Sequence, residues 1–297
     1  MKFSTPPADA LAQPGRASLT VTDEGLGENR PVTLHTYRAA GFAPDGTVVF
    51  VMPGMRRDGD NYRDYWVEAA DRYKLMIVAF AFPTEGFPGG EGYNQGGVFD
   101  PEGRLTQPAA WAFGLPLRVL AALREAGVLE GAKARLFGHS AGGQFVERLL
   151  CSMSPVPFEA VAAANPGWYS LPKLELPYPE GMGGVGLREG DVLRLLATPL
   201  TLMLGEEDKH AEGEGIATGE AAERQGANRY ERGQNFFAQG QKAAKERGLD
   251  CAWKLQSVPG IGHDGRAMSR ACAALWFAGS IPAASVLRAG GNGRPAP

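Results

Sequence analysis

The sequence predicts an α/β fold built on a mostly parallel sheet of eight strands, with helices on both faces. Three observations carry that prediction. Short, continuous apolar runs bounded by glycine, proline or charge recur along the chain. Continuous rather than alternating hydrophobicity suits strands covered on both sides. Between the runs lie segments with apolar residues at helical spacing. The chain also has 297 residues, 44% of them hydrophobic and 21% charged, which is ordinary globular composition and enough for one large core.

Taken in order, residues 1–15 are rich in proline and alanine and are expected to lie loosely on the surface. Residues 1–16 thus read as an extension, and 17–280 as the domain. "ASLTVT" (17–22) and "VTLHTYR" (32–38) read as an opening antiparallel pair. In the second strand Val32, Leu34, Thr36 and Arg38 point one way, with Thr33, His35 and Tyr37 opposite. The apolar runs follow: "TVVFVMP" (47–53), "LMIVAFAF" (75–82), "ARLFG" (134–138), "AVAAAN" (160–165), "PLTLML" (199–204) and "AWKLQSV" (252–258). Tyr62, Tyr65, Trp66, Ala69, Ala70 and Tyr73 repeat at helical spacing. So do Phe236, Phe237, Gly240, Ala243 and Ala244, and Met268, Ala271, Cys272, Leu275 and Trp276. Leu117 to Ala126 and Gln144 to Cys151 complete the helices. The glycine-rich segment 83–103 and the polar segment 209–232 read as long loops of the kind that cover functional sites. Segment 170–191 reads as a small loop-rich insertion over the site. The end, 281–297, reads as a flexible tail.

Charge and composition exclude several classes. The net charge is -3 and the pI about 5.9, with no basic block, so no nucleic-acid partner is expected. No run approaches the roughly 18 apolar residues of a membrane span. The start has no continuous apolar segment of the signal-peptide kind. The 3 cysteines are odd in number and lack metal-like spacing, so they read as reduced thiols of a cytoplasmic protein.

The stretch "RLFGHSAGGQF" carries the chemistry. Gly138-His139-Ser140-Ala141-Gly142 is a G-x-S-x-G pattern. With 41 glycines in the chain, the pattern alone is weak, and its setting decides. A buried strand precedes it and a helix follows, so glycines on either side let the chain turn sharply and lift the Ser140 hydroxyl clear of the sheet. The Ala141 amide then points into the same space, at the positive end of a helix.

A serine hydroxyl needs a base, and the base needs an orienting acid. Of the 4 histidines, His263 in "VPGIGHDG" follows the last strand and opens on the same sheet edge as Ser140. His139 adjoins Ser140 and reads as packed or structural. The turn "LGEEDKH" offers the acid; Asp208 is the choice and Glu206 the competitor. A second oxyanion donor beside Ala141 is expected after "TVVFVMP", where Gly54 allows close approach and the Met55 amide is the candidate. Arg56, with Arg57, is a candidate for a polar or anionic substrate group. Trp168 and Tyr169, with Phe82, Phe87, Tyr93 and Phe99, are candidates for lining a pocket.

"GHSAGG", "LGEED" and "PGIGHDG", in that order, resemble the α/β-hydrolase superfamily over roughly residues 17–280. Within it, "VFVMPGMRRDGDNYRDYW" and the later glycine-rich loop are similar to the polyhydroxybutyrate depolymerase and feruloyl esterase-like branch. The resemblance implies carboxylic ester hydrolysis without metal or organic cofactor. It places the nucleophile on Ser140, the acid on Asp208, the base on His263 and the oxyanion donors on Met55 and Ala141. The chain departs from secreted members of that branch in lacking an export signal and paired cysteines, which favours a small or oligomeric ester. A serine peptidase, an acyltransferase or a silent ligand-binding homologue are the competing readings.

Overall fold

A computed structural model describes residues 1–27, 30–131, 133–211 and 216–289. Nine strands form one sheet: β1 (Lys2–Phe3), β2 (Gly15–Thr22), β3 (Val32–Arg38), β4 (Thr47–Met52), β5 (Met76–Ala81), β6 (Lys133–His139), β7 (Ala160–Ala164), β8 (Leu200–Gly205) and β9 (Trp253–Val258). Their order is β1-β2-β3-β5-β4-β6-β7-β8-β9. The pairs up to β3–β5 are antiparallel, and every pair from β5–β4 to β8–β9 is parallel. The parallel half explains the continuous apolar runs. In β4, Val48, Phe50 and Met52 face one core while Val49 and Val51 face the other.

The helices are α1 (Pro7–Ala10), α2 (Gly59–Tyr65), α3 (Val67–Tyr73), α4 (Gly89–Gly92), α5 (Leu115–Glu125), α6 (Ala141–Ser152), α7 (Glu189–Ala197), α8 (Glu220–Glu223), α9 (Arg229–Glu246), α10 (Gly265–Ala278) and α11 (Ala284–Arg288). Leu120 of α5, Phe145 and Leu149 of α6, Leu195 of α7 and Phe236 of α9 fill the core on one face of the sheet. Trp66, Ala70 of α3, Met268 and Cys272 of α10 and Leu287 of α11 fill the other. Among the described residues no helix is long and apolar enough to cross a membrane.

The sheet has nine strands rather than the eight expected, because the amino-terminal segment is not loose. Lys2 and Phe3 pair with Thr22 and Val21. Leu11 is buried, and its carbonyl accepts from the Arg38 guanidinium at 2.7 Å. The carboxy-terminal stretch also differs from a free tail up to residue 289: α11 packs on α10 and buries Leu287. Residues 290–297 lie outside the described residues. The helical pattern of 62–73 is divided at Trp66, between α2 and α3. Segment 209–232 is not wholly loop, since it includes α8 and the start of α9; residues 212–215 lie outside the described residues.

Candidate active site

The parallel strands bring their carboxyl ends to one edge, and the site is assembled there. Between β6 and α6 a single residue, Ser140, makes the corner, with φ 56° and ψ -118°. That is a strained conformation for a residue with a side chain. Neighbouring structure holds it: the Ser140 amide donates to the Ala164 carbonyl at 2.9 Å, and the Gln144 amide to the Ser140 carbonyl at 3.0 Å. Glycine is required on both sides. A Cβ at Gly138 would lie 2.1 Å from the Gly142 carbonyl oxygen, and one at Gly142 would lie 2.0 Å from that of Met52.

The loop after β9 carries His263. Its Nε2 lies 2.9 Å from Ser140 Oγ and its Nδ1 2.7 Å from the Asp208 carboxylate. Asp208 follows β8 and is fixed by its own backbone. Its amide donates to the Gly205 carbonyl at 3.0 Å, and the adjacent Glu207 amide to that of Ile261 at 2.9 Å. The other Asp208 oxygen accepts from the Arg229 guanidinium at 3.2 Å. Asp208 is 1% exposed and Arg229 5%. A buried carboxylate between a guanidinium and an imidazole keeps its charge compensated. Asp264 stops the His263 loop by capping α10, its Oδ1 accepting from the amides of Arg266 and Ala267, each at 3.0 Å. Glu206 is half-buried and Glu207 exposed, and Asp208 alone of the three acidic residues meets the histidine.

Beyond β4, Gly54 faces the serine: a Cβ there would lie 3.7 Å from Ser140 Cβ. Among the described residues neither the Met55 nor the Ala141 amide N–H has an acceptor. Both are therefore free to donate to an oxyanion beside Ser140. The Tyr93 hydroxyl donates to the Pro53 carbonyl at 2.7 Å and steadies this loop from behind.

No protein-family model matches the chain, and no curated protein does. Solved structures do. LpqC, a poly(3-hydroxybutyrate) depolymerase from Bordetella parapertussis, is 48% identical with a TM-score of 0.92, covering 95% of this chain and 96% of its own. This chain belongs to the poly(3-hydroxybutyrate) depolymerase-like branch of the α/β-hydrolases. Poly(aspartic acid) hydrolase-1 from Sphingomonas sp. KT-1 is 30% identical with a TM-score of 0.84, covering 89% of this chain and 98% of its own. An S-formylglutathione hydrolase from Agrobacterium tumefaciens, at 15% identity and a TM-score of 0.59 over 95% and 99% of the two chains, shares the fold.

The depolymerase-like hydrolase distributes its remaining candidates unevenly. Arg56 is exposed beside Met55, but Arg57 is buried. The Arg57 guanidinium donates to the carbonyls of Phe82, Phe87 and Gly89 and lies 5.0 Å from the centre of the Tyr93 ring. It pins the glycine-rich segment against the loop after β4 and does not face solvent. Trp168 is half-buried over the Arg148 guanidinium, 5.0 Å from its ring centre. Tyr169 is a core residue rather than a lining one: it is 0% exposed, and its ring stacks on Phe236 at 4.4 Å. Phe82, Phe87 and Tyr93 are also fully buried, packed around one another. Phe99 is exposed, 6.3 Å from the Tyr178 ring. Among the described residues no three of His, Cys, Asp and Glu gather as metal ligands do.

Asn165 is a contributor that sequence reasoning missed. It follows β7 at φ 45°, its Oδ1 accepts from the Gly205 amide at 2.8 Å, and its Nδ2 donates to the Gly262 carbonyl at 3.0 Å. One side chain thus joins the acid strand to the histidine loop. The Asn-Pro pair after an apolar run was the available signal.

Proposed function

We propose that this hydrolase cleaves carboxylic esters through Ser140, His263 and Asp208, by way of an acyl-enzyme. The observation that carries the reading is the unbroken chain of contacts, 2.9 Å from Ser140 Oγ to Nε2 of His263 and 2.7 Å from Nδ1 to Asp208. Ser140 Oγ attacks the ester carbonyl as His263 Nε2 takes its proton. Asp208 holds the imidazole in the tautomer that leaves Nε2 as acceptor, and balances the imidazolium that forms. The amides of Met55 and Ala141 donate to the oxyanion. The protonated His263 then gives its proton to the departing alcohol. It next deprotonates a water that attacks the acyl carbonyl, releasing the acid and restoring Ser140.

The reading takes a small or oligomeric ester as substrate, and the depolymerase relative favours oligomers of hydroxy acids. Arg56 and Trp168 are its candidates for substrate contact. Placement in the cytoplasm is part of the same reading, supported by three free cysteines. Amide cleavage is the second reading, favoured by the poly(aspartic acid) hydrolase relative. A panel of p-nitrophenyl esters, hydroxybutyrate oligomers and peptide anilides decides between them. Turnover of the esters, with loss of all activity in Ser140→Ala, supports the proposal. Preference for the anilides supports the second reading. Absence of any turnover by folded wild type overturns both.

A further inference from the structure

The Tyr62 hydroxyl lies where three loops of the site converge. It shares a hydrogen bond of 2.7 Å with Nδ1 of His139, the residue before Ser140. Gly54, in the loop after β4, lies against the same oxygen. A Cβ on Gly54 would lie 3.1 Å from it. Gly265, two residues after His263, comes closer still: a Cβ there would lie 2.6 Å from the hydroxyl oxygen and 3.1 Å from His139 Nδ1. The oxyanion loop is therefore held by two phenols. The Tyr93 hydroxyl donates to the Pro53 carbonyl, and the Tyr62 oxygen packs against Gly54.

His139 adds a second contact. Its ring packs against that of His263 with centroids 4.8 Å apart and planes tilted by 40°. Burial above all, then the neighbouring His263 and Arg229, pushes the His139 pKa well below the ordinary imidazole range. A neutral ring can flank the imidazolium formed on His263 without like-charge repulsion. Packing alone does not account for this residue. His139 Nε2 is buried with no hydrogen-bond partner, which destabilises the fold where an apolar side chain would not.

We infer that Tyr62 and His139 are a positioning pair, holding the oxyanion loop, the nucleophile turn and the His263 loop in one register. Neither touches substrate. The inference rests on the reading of Ser140 as nucleophile. Misplacement of a reacting group by about 1 Å can slow a reaction by about 100-fold, which sets the scale expected here.

The test compares Tyr62→Phe, His139→Leu and His139→Asn with wild type, using kcat and KM on p-nitrophenyl butyrate, melting by circular dichroism and labelling by a fluorophosphonate. Tyr62→Phe and His139→Leu lower kcat by about 10- to 100-fold, with KM within about twofold and the fold retained. His139→Asn places a hydrogen-bonding atom where Nδ1 stood and recovers kcat to within about threefold of wild type. The double variant Tyr62→Phe/His139→Leu is no slower than His139→Leu, because both changes break one bond. Wild-type kcat in Tyr62→Phe, or equal losses in His139→Asn and His139→Leu, overturns the inference. If Tyr62→Phe does not fold, the two His139 variants decide alone. Ser140→Ala separates the levels. If it is inert and unlabelled while Tyr62→Phe equals wild type, only the pair falls. If Ser140→Ala is labelled and active, the nucleophile and the pair fall together.

Discussion

Replacing Gly142 by alanine tests how tightly the turn at Ser140 is built. The new Cβ would lie 2.0 Å from the Met52 carbonyl oxygen, 2.5 Å from its carbon and 2.6 Å from the Pro53 oxygen. All three are backbone atoms, so no side chain can swing aside. Helix α6 and the end of β4 must part by about 1 Å to restore ordinary contact. Overpacking of this kind costs about 1–3 kcal/mol, and a rigid backbone on both sides places Gly142→Ala near the top, at about 3 kcal/mol. Unfolding entropy of about 2.1 cal/mol/K per residue, over 297 residues, converts this to a fall in Tm of about 5 °C. Pro53 leads directly to Gly54 and Met55, so the same displacement moves the proposed oxyanion donor and is expected to lower kcat by about 100-fold. Gly143→Ala is the control. Its Cβ would meet Ala164 and Pro166 atoms at 3.0 Å, which a shift of a few tenths of an ångström relieves. Thermal melts and p-nitrophenyl butyrate kinetics read both variants. A Gly142→Ala protein with wild-type Tm and kcat, or a Gly143→Ala protein equally impaired, refutes the reasoning.

Two further perturbations probe groups around the site. Asn165→Ala removes the bonds of 2.8 and 3.0 Å to Gly205 and Gly262 and leaves alanine at φ 45°. It is expected to lower stability by about 2–4 kcal/mol and kcat by about tenfold; an unchanged kcat would show that the histidine loop is positioned without it. Glu147 sits in the buried part of α6, and burial lifts its pKa from 4.5 to about 7, opposed by Arg148 and the Ser170 amide. Between those two values the folded protein keeps a proton that the unfolded chain has released, so wild-type stability falls as pH rises from 4.5 to 7 and levels above it. Glu147→Gln does not titrate. Its stability relative to wild type, read from Tm, should therefore rise between pH 5 and pH 8, by on the order of 3 kcal/mol at most. Parallel Tm–pH curves for the two proteins contradict the argument.

Much of this architecture was legible because burial on both faces leaves a plain mark on a strand. Each of the six apolar runs and both segments of the opening pair became a strand, and the serine, histidine and carboxylate expected from the strand ends meet. The ninth strand left no mark, since Lys2 and Phe3 are too few to show a period. Sequence could not separate Arg56 from Arg57. Only the fold reveals that carbonyls of Phe82, Phe87 and Gly89 await the second guanidinium. Tyr169 misled for a similar reason: an aromatic after a strand end can face a cleft or the core, and α9 places Phe236 against it. The link between Tyr62 and His139 spans 77 positions and carries no local pattern at all.

Ser140 is the proposed reactive group, activated by His263 and Asp208. Peptide mapping of the fluorophosphonate adduct, with its rate of formation, tests this most directly. One adduct is expected, on the peptide containing Ser140, forming about 10,000-fold more slowly in Asp208→Asn. An adduct on any other residue, or an Asp208→Asn protein labelled at the wild-type rate, contradicts it.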